Sequence, residues 1–475
     1  MDEPKYIPTI GLEIHAELRT KSKMFCSCAN NPDEAIPNKN ICPICLAHPG
    51  TLPVLNKEAI KHVIKVGVAV DGTIADFTEW DRKNYFYPDI PKGYQISQYK
   101  YPLVSGGVLA NVTLERIHLE EDTAQSTHDT HEKSLVNFNR SGVPLMELVT
   151  KPVIHDSLTA VRFAKELQLL LRYLGAGDAN MEKGEMRVEA NISIASPSNT
   201  ANGKFGTKTE VKNLNSFRAV AGAIEFEVKR QSSLLEQGEV VKQETRGWDD
   251  KAQETYSQRS KESSHDYRYF PDPDIPKLKL SLMPEFAHDA IKKELPELPW
   301  KKRDRYSLSY GMTEKELAVF VESPVISTYF ESVISLFAKD QKKVKLAVNY
   351  ILSDYLGLLK KKGFTISDPD HESHKKDSIS TVGPIKPETF SELIELISAG
   401  DVSSRGAKDL LVLLTEDATI NEVVAGSLKS IAEKYGLIQK SDAGSLDPII
   451  ADIITNNPKV VADYKAGKVA LLQFL

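Results

Sequence analysis

Apolar and polar residues alternate along several short segments in the first three hundred residues of the chain. The clearest case is residues 6–18, where a strand would carry Glu13, His15 and Glu17 on one face and apolar side chains on the other. The same alternation occurs at 108–121 and 188–194, and helical spacing occurs at 157–174 and 218–236. Strands and helices are therefore interspersed, and the pattern predicts an α+β domain around an antiparallel sheet.

The character of the chain changes near residue 296, after a segment at 269–277 that holds three prolines and cannot be regular helix. Helical spacing dominates from there onward, at 300–311, 313–323, 325–338, 341–362, 388–399, 406–416, 422–435, 446–456 and 458–466. The sequence therefore predicts an α+β domain at 1–295, which the resemblance described below identifies as the catalytic cradle, a helical domain at 296–405 and a small helical tail at 406–475. A charged stretch near 364–382 is predicted to be a linker or insertion.

Composition and charge narrow the class of protein. The chain has 475 residues, of which 41% are hydrophobic and 27% charged, which is ordinary for a globular protein. Its apolar runs are far shorter than the roughly 20 residues of a membrane span, and its first residues lack an export signal, so a cytoplasmic protein is predicted. The net charge is -6, with 60 Lys and Arg against 66 Asp and Glu. This balance argues against a protein held on nucleic acid mainly by charge, although RNA held by shape remains compatible with it.

All four cysteines fall within twenty residues, at Cys26, Cys28, Cys42 and Cys45. Two short pairs of thiolates can meet at the corners of a tetrahedron, which is the geometry of a structural zinc site. Two disulfides, four unrelated thiols or a cluster that has lost its metal are the alternatives, and disulfides are disfavoured without an export signal. Four sulfur ligands leave no open coordination position, so the predicted role is structural.

Acidic residues mark a second candidate metal site. Glu13 and His15 point to the same face of a strand, and the segment 116–122 ends in Glu120, Glu121 and Asp122. Three adjacent acids need a cation or solvent to offset their repulsion. Magnesium suits such oxygen ligands and bridges to phosphates. An exposed, functionless pair remains the alternative for Glu13 and His15.

Four further segments combine cations, acids and aromatic residues: 81–91, 137–144, 177–191 and 206–218. On a strand, Lys208, Glu210 and Lys212 share one face, which by itself is typical of a solvated surface. Together these segments supply the parts of a phosphoryl-transfer site, namely cations, metal-binding acids and rings for stacking a base. No Walker-type or dinucleotide-binding glycine motif occurs, so another kind of nucleotide fold is expected.

These residues resemble the GatB family, the B subunits of bacterial tRNA-dependent amidotransferases. The resemblance covers almost all of residues 10–295 in family order, and it is weaker beyond them. The matching stretches are IGLEIH (10–15), CPICL (42–46), RKNYFYPDIPKGYQISQ (82–98), RIHLEED (116–122), NRSGVPLME (139–147), GTKTEVKNLNSFR (206–218), QETRGWD (243–249), DYRYFPDPDIP (266–276) and, more weakly, PKVVADYKAGK (458–468).

The resemblance implies a fold, an activity and partners. The first domain would resemble the glutamine synthetase catalytic fold, and two helical domains would hold tRNA. With a GatA-type amidase and a small GatC-type subunit, the chain would act on tRNA(Gln) carrying Glu or tRNA(Asn) carrying Asp. It would use ATP and Mg²⁺ to phosphorylate the side-chain carboxylate, and ammonia from the amidase would displace the phosphate.

The resemblance also implies residue roles. Glu13, His15 and Glu121 are the predicted magnesium ligands, with Glu120 and Glu210 as further candidates, and strand alternation separates Glu120 from Glu121 unless a bulge intervenes. The predicted contacts to phosphate or to the tRNA end are Arg82, Lys83, Arg140, Lys208 and Lys212. Tyr85 and Tyr87 are candidates to stack on adenine or on the tRNA end, and core packing is their alternative.

Two other functions compete with this interpretation. The first is a zinc-stabilised tRNA-binding protein without catalysis, which would account for the four cysteines. It would not account for the acidic residues, because carboxylates repel the phosphates of RNA. The archaeal relative that acts only on glutamine tRNA carries a large inserted domain, and residues 277–296 leave no room for one. Family members usually continue past residue 475, so the tail is either incomplete or dispensable, and its composition shows no basic face.

Overall fold

The computed structural model describes residues 5–128, 133–260, 267–337, 340–364, 382–416, 428–439 and 443–474. The chain divides into two compact units, Met1–Pro299 and Trp300–Leu475. The predicted linker near 364–382, apart from its two end residues, and the first part of the predicted helix at 422–435 lie outside the described residues.

The first unit is built from seventeen described strands and five helices. The strands are β1 (Ile7–Glu17), β2 (Thr73–Ile74), β3 (Phe77–Thr78), β4 (Asp81–Asn84), β5 (Tyr94–Ser97), β6 (Val104–Ser105), β7 (Val108–Leu109), β8 (Val112–Glu121), β9 (Gln125–His128), β10 (Ser134–Asn137), β11 (Pro144–Thr150), β12 (Met186–Ala195), β13 (Thr209–Leu214), β14 (Glu244–Asp249), β15 (Glu254–Ser260), β16 (Phe270–Pro271) and β17 (Leu278–Lys279). The helices are α1 (Lys57–Ala69), α2 (Ser157–Tyr173), α3 (Pro197–Ala201), α4 (Phe217–Glu236) and α5 (His288–Glu294).

One large sheet dominates this unit, with the strand order β15-β14-β13-β12-β1-β11-β8-β6-β2 and with β7 paired to β8. The predicted sheet is thus present in a mixed α and β unit. Its described pairs are antiparallel except β13 with β14, which run parallel. The helix α4 connects these two strands, as a parallel crossover requires, and the expectation of a purely antiparallel sheet was wrong at this point.

The two faces of the sheet differ sharply. The apolar residues of β1, such as Leu12 and Ile14, are fully buried on the face against which α2 and α4 pack. Glu13, His15 and Glu17 alternate with them on the opposite, partly open face. We call this opposite face the polar face. It exists because side chains in a strand point alternately to its two sides.

The predicted single strand at 108–121 is interrupted. Ala110 and Asn111 both adopt positive φ angles, of 48° and 66°, and form the tight turn between β7 and β8. Such a two-residue turn matches the twist of the flanking strands. The predicted helices at 157–174 and 218–236 are confirmed as α2 and α4, which Asp156 and Ser216 cap through their side chains.

The second unit is helical, as predicted. Its described helices are α6 (Pro299–Tyr310), α7 (Glu314–Glu322), α8 (Pro324–Ser335), α9 (Gln341–Asn349), α10 (Leu356–Lys361), α11 (Pro387–Ala399), α12 (Ser404–Glu416), α13 (Leu428–Lys434), α14 (Ala443–Asn456) and α15 (Pro458–Lys465). A π-helical segment, Tyr350–Tyr355, joins α9 to α10, so the predicted helix at 341–362 is continuous but changes its winding. No single helix among the described residues has the length and apolarity to cross a membrane, although α7 and α8, bent by 107°, reach that length and composition as a pair.

Candidate active site and cysteine cluster

The centre of the polar face is a cluster of carboxylates and imidazoles that three neighbouring strands bring together. Glu147 of β11 lies directly across from His15 of β1 on one side and from His118 of β8 on the other. Glu13 precedes His15 by two residues, and Glu120 follows His118 by two, so all five side chains share the face. We call these five residues the carboxylate cluster.

Short distances connect the members of the carboxylate cluster. The Nε2 atom of His15 lies 3.4 Å from Glu147 Oε2 and 3.6 Å from Glu120 Oε1. The Nε2 atom of His118 lies 3.3 Å from the same Glu147 oxygen, and Glu13 Oε1 is 4.0 Å from His15 Nε2. Ligand atoms within 4.8 Å of one another occur in two groups, Glu13–His15–Glu147 and His118–Glu120–Glu147. Glu147 belongs to both groups, as a carboxylate shared by two cation positions would.

The charges of the carboxylate cluster depend strongly on one another. Burial opposes the charged imidazole of His15, but the hydrogen bond and charge of Glu147 outweigh it and raise the pKa of His15 to about 9. The pKa of His118 is likewise raised to about 9 against the effect of burial. Burial, together with the charges of Glu147 and Glu189, raises the pKa of Glu13 to about 7. The carboxylates therefore favour nearby positive charge, which protonated histidines or a divalent cation could supply.

Glu121 does not join the carboxylate cluster, although it follows Glu120 directly. Its carboxylate lies 2.6 Å from Lys92 Nζ and accepts a hydrogen bond from the backbone N–H of Ile96. The pair lines a cavity of about 290 Å³ that also touches Cys26 and Cys45. Strand alternation thus separates the two acids, and no bulge in β8 near them reverses it.

Glu210 and Lys212 lie farther along the polar face. Glu210 on β13 is buried, accepts a hydrogen bond from the Thr245 hydroxyl at 2.8 Å and lies 4.0 Å from Lys212. Lys212 donates to Glu189 at 2.7 Å, and Glu189 lies directly across from Glu13. Lys208 precedes β13 and is exposed. Of the three charged residues that were expected to share one face of a strand, only Glu210 and Lys212 lie within β13.

Lys83 on β4 interacts electrostatically with the carboxylate cluster. Burial disfavours its charge, but Glu120, Tyr269 and Glu147 raise its pKa nonetheless. The ammonium lies 5.0 Å from the centre of the Tyr267 ring. Lys83 is therefore a cation whose charge the carboxylates favour, although it forms no close ion pair with them among the described residues.

The other predicted contact residues have different environments. Arg82 binds Asp272 and Asp274 and stacks on the Tyr94 ring at 4.4 Å. Arg140 donates from Nε and Nη2 to backbone carbonyls, those of Thr123 and Ala124.

The two predicted stacking tyrosines also differ. Tyr85 packs edge-on against Tyr267, and burial raises its pKa. Tyr87 is 65% exposed. Of the two, only Tyr87 presents an open ring.

The four cysteines converge. Their sulfur atoms all lie within 4.8 Å of one another, with Cys28 and Cys45 at 4.0 Å and Cys42 and Cys45 at 3.8 Å. A hydrogen bond between Cys26 and Cys45 raises the pKa of Cys26 and lowers that of Cys45 to about 5. The group could bind a metal ion, and its soft, closed donor set is typical of a structural zinc site.

Three residues of the candidate site were missed by the sequence analysis. Glu147 and His118 complete the carboxylate cluster, and Arg187 on β12 lies directly across from His15. Each stands inside a stretch that the sequence analysis quoted, at 139–147, 116–122 and 177–191. Strand alternation extended from Glu120 back to His118 could have found the histidine, whereas Glu147 and Arg187 required knowledge of strand pairing and register.

Comparisons with known proteins agree with this architecture. The sequence model of the GatB/GatE catalytic domain matches residues 8–283, and that of the GatB domain matches residues 328–475. Three similar relatives are B subunits of aspartyl/glutamyl-tRNA(Asn/Gln) amidotransferases. The chain is 40% identical to the relative from Rippkaea orientalis, over 99% of this chain and 92% of the relative. Its identity is 40% to the relative from Thermodesulfovibrio yellowstonii and 41% to that from Caldicellulosiruptor saccharolyticus, each over 99% of this chain and 94% of the relative. The chain belongs to the GatB family of tRNA-dependent amidotransferase B subunits.

Proposed function

We propose that this chain activates the side-chain carboxylate of Glu on tRNA(Gln), of Asp on tRNA(Asn), or of both, by ATP-dependent phosphorylation. Ammonia from a GatA-type amidase, in a complex completed by a GatC-type subunit, would then replace the phosphate. A carboxylate is a poor acyl donor because an oxide would have to leave, whereas an acyl phosphate leaves readily. The observation that supports this proposal most strongly is the carboxylate cluster, which has no use in a protein that only binds RNA.

The donor atoms of the carboxylate cluster fit a divalent cation. Three carboxylates and two imidazoles meet around a shared Glu147, and Nδ1 of His118 is buried without a hydrogen-bond partner among the described residues. We propose that Glu13, His15, His118, Glu120 and Glu147 hold Mg²⁺. This set contains Glu147 and His118 instead of Glu121, because the Glu121 carboxylate pairs with Lys92 outside the carboxylate cluster. When bound, the ion would supply positive charge to the phosphate and carboxylate oxygens.

The other residues of the polar face would position the two anionic substrates. Lys83 would contact the transferred phosphoryl group, because its charge interacts with Glu120 and Glu147 and no close ion pair holds it among the described residues. Lys212 and Glu210 would support Glu13 indirectly, since Lys212 pairs with Glu189 beside it. Tyr87 remains the candidate for stacking on a base. The four cysteines would hold a structural Zn²⁺, which fixes the loop beside the cavity.

The test is ATP-dependent amide formation on Glu-tRNA(Gln), with ammonium as the nitrogen donor and the GatA-type and GatC-type partners present. Ammonium bypasses the amidase step. We expect Glu147→Gln to lower the rate by about a hundredfold or more, the scale of losing one electrostatic contact to the transition state. Uncharged tRNA should bind as before. Glu236→Gln, at an exposed ion pair with Lys5, is the matched control and should keep the wild-type rate.

Two results would count against the proposal. A wild-type rate in Glu147→Gln would show that the carboxylate cluster does not carry the chemistry. A wild-type complex that binds tRNA but forms no amide would favour the non-catalytic, zinc-stabilised tRNA-binding alternative.

A further inference from the structure

The cations on and around the polar face fall into two groups by their hydrogen bonds. Arg82, Lys92, Arg140 and Lys212 are held by the protein partners described above, and Arg116 on β8 donates from Nη2 to Glu147 Oε1 at 3.4 Å. Lys83 and Arg187 have capacity left. Arg187 donates from Nη2 to Asp122 Oδ2 at 2.9 Å, and its Nε and Nη1 have no hydrogen-bond partner in the described part of the chain.

Arg187 and Lys83 flank the carboxylate cluster from different elements. Arg187 rises from β12 in the same cross-strand row as His15, Glu147 and His118, and its side chain is 28% exposed. Lys83 comes from β4, outside the large sheet. The charge of each also interacts with Glu120. Lys83 and Arg187 are therefore cations near the carboxylate cluster that form no close ion pair with its carboxylates among the described residues.

The reaction that we propose above needs two anionic groups at this place. One is the transferred phosphoryl group and the other is the side-chain carboxylate of the aminoacyl ester. A guanidinium presents parallel N–H groups that match the two oxygens of a carboxylate, whereas an ammonium acts as a point charge. Arg82 and Arg140 each use two nitrogens on carboxylates or backbone carbonyls, and Arg116 donates to Glu147 within the carboxylate cluster. Arg187 uses one nitrogen, and its partner Asp122 lies outside the cluster.

We propose that Arg187 binds the side-chain carboxylate of the aminoacyl group and thereby selects the acid over the amide. This inference rests on the proposed function. One carboxylate oxygen would attack the γ-phosphorus, a P–O bond to that oxygen would form, and the bond to ADP would break with its electron pair leaving on ADP. Arg187 would donate hydrogen bonds to the carboxylate throughout and give up no proton. The amide product carries no charge, so Arg187 would bind it more weakly than the acid and the product would be released.

Asp122 explains how Arg187 is kept in place. Its carboxylate also lies 3.6 Å from Arg140 Nε and accepts a hydrogen bond from the Thr123 N–H. Asp122 is thus held by Arg140 and by a backbone N–H group, and it accepts a hydrogen bond from only one nitrogen of Arg187. The geometry fixes the guanidinium while leaving its other edge open to a ligand.

The decisive variant is Arg187→Lys, assayed in the complete complex with ammonium as donor. Lysine keeps a positive charge beside Asp122 but lacks the parallel N–H groups with which a guanidinium binds both oxygens of a carboxylate. We expect the KM for Glu-tRNA(Gln) to rise about tenfold or more, which equals about 1.4 kcal/mol. The KM for ATP and the Kd for uncharged tRNA should stay within about twofold. Arg172→Lys is the matched control, because Arg172 is exposed on α2 and bonds a backbone carbonyl.

A measurement on the unmodified complex guards against a variant that fails to fold. Wild-type complex should bind Glu-tRNA(Gln) several-fold more tightly than Gln-tRNA(Gln), and Arg187→Lys should erase the difference. Equal wild-type affinities, an unchanged KM for Glu-tRNA(Gln) in Arg187→Lys, or a rise in the KM for ATP instead would each overturn the proposal. Absence of amide formation in wild type would instead contradict the proposed function, so the two failures are distinguishable.

Discussion

The cysteine cluster and the carboxylate cluster are both compact groups of metal-type ligands in the same unit, but the chain builds them in different ways. The four cysteines lie within residues 26–45 and need only one loop to meet. The carboxylate cluster draws on β1, β8 and β11, from Glu13 to Glu147, and exists only when these strands pair in register. Four sulfurs form a closed, soft set, whereas oxygens and imidazoles on the polar face form a harder set. The difference agrees with the roles that we propose, structural for the first cluster and chemical for the second.

Selective metal withdrawal should separate the two clusters most strongly. Removing Mg²⁺ from the complete complex should abolish amide formation, by about a thousandfold or more, and adding it back should restore the rate. The thermal midpoint should hardly change, because the ion would bind to a face that is already folded. Zinc content, measured by elemental analysis, should remain constant. Activity that survives removal of Mg²⁺ would contradict the assignment of the carboxylate cluster.

Adjacent acids on opposite faces provide a sharper comparison. Glu120→Gln should weaken divalent-cation binding about tenfold to a hundredfold, since its carboxylate faces His15 and His118. Glu121→Gln should leave cation binding unchanged. It should instead lower the free energy of unfolding by about 1–3 kcal/mol, because Lys92 loses its buried charged partner. Calorimetric titration with Mn²⁺ and thermal unfolding distinguish the two effects, and equal loss of cation affinity in both variants would show that the faces are wrongly assigned.

A substitution in the cysteine cluster should act mainly on stability. Cys45→Ser removes a nearly buried sulfur and should release the metal. The expected loss is on the order of 2 kcal/mol, or a fall in the thermal midpoint of roughly 4 °C or more. Mg²⁺ affinity should persist. A variant with full stability and no change in zinc content would show that the cysteines hold no metal.

The smallest predicted effect concerns His62 on α1, away from both clusters. Burial lowers its pKa below the ordinary value of 6.5, and Nε2 lies 2.9 Å from the carbonyl oxygen of Arg19. Below pH 6.5, His62 becomes protonated in the unfolded chain but stays neutral in the folded protein until the pH falls further. The contribution of neutral His62 to the free energy of unfolding is therefore present above pH 6.5 and is lost as the pH falls. Thermal midpoints between pH 5 and 7 should therefore vary less in His62→Gln than in wild type. His155→Gln, at an exposed histidine, should keep the wild-type slope, and identical slopes in both variants would contradict the prediction.

The comparison also explains what the sequence alone could predict. Alternation in β1 predicts the shared face of Glu13 and His15, because side-chain direction in a strand depends only on local geometry. The meeting of the cysteines follows equally from short spacing. Glu147 could not be found this way, since its approach to His15 depends on the pairing of β1 with β11, which lie far apart in the sequence. The parallel pairing of β13 and β14 and the free edge of Arg187 are likewise properties of the assembled sheet.

The central claim is that the side-chain carboxylate becomes an acyl phosphate over the carboxylate cluster. The most direct measurement uses Glu-tRNA(Gln) with ¹⁸O in the side-chain carboxylate, the complete complex, ATP and ammonium, followed by mass analysis of the inorganic phosphate. We expect one labelled oxygen to enter phosphate for each amide formed, because that oxygen bonds to the γ-phosphorus and leaves with it. Amide formation with unlabelled phosphate would contradict an acyl phosphate intermediate.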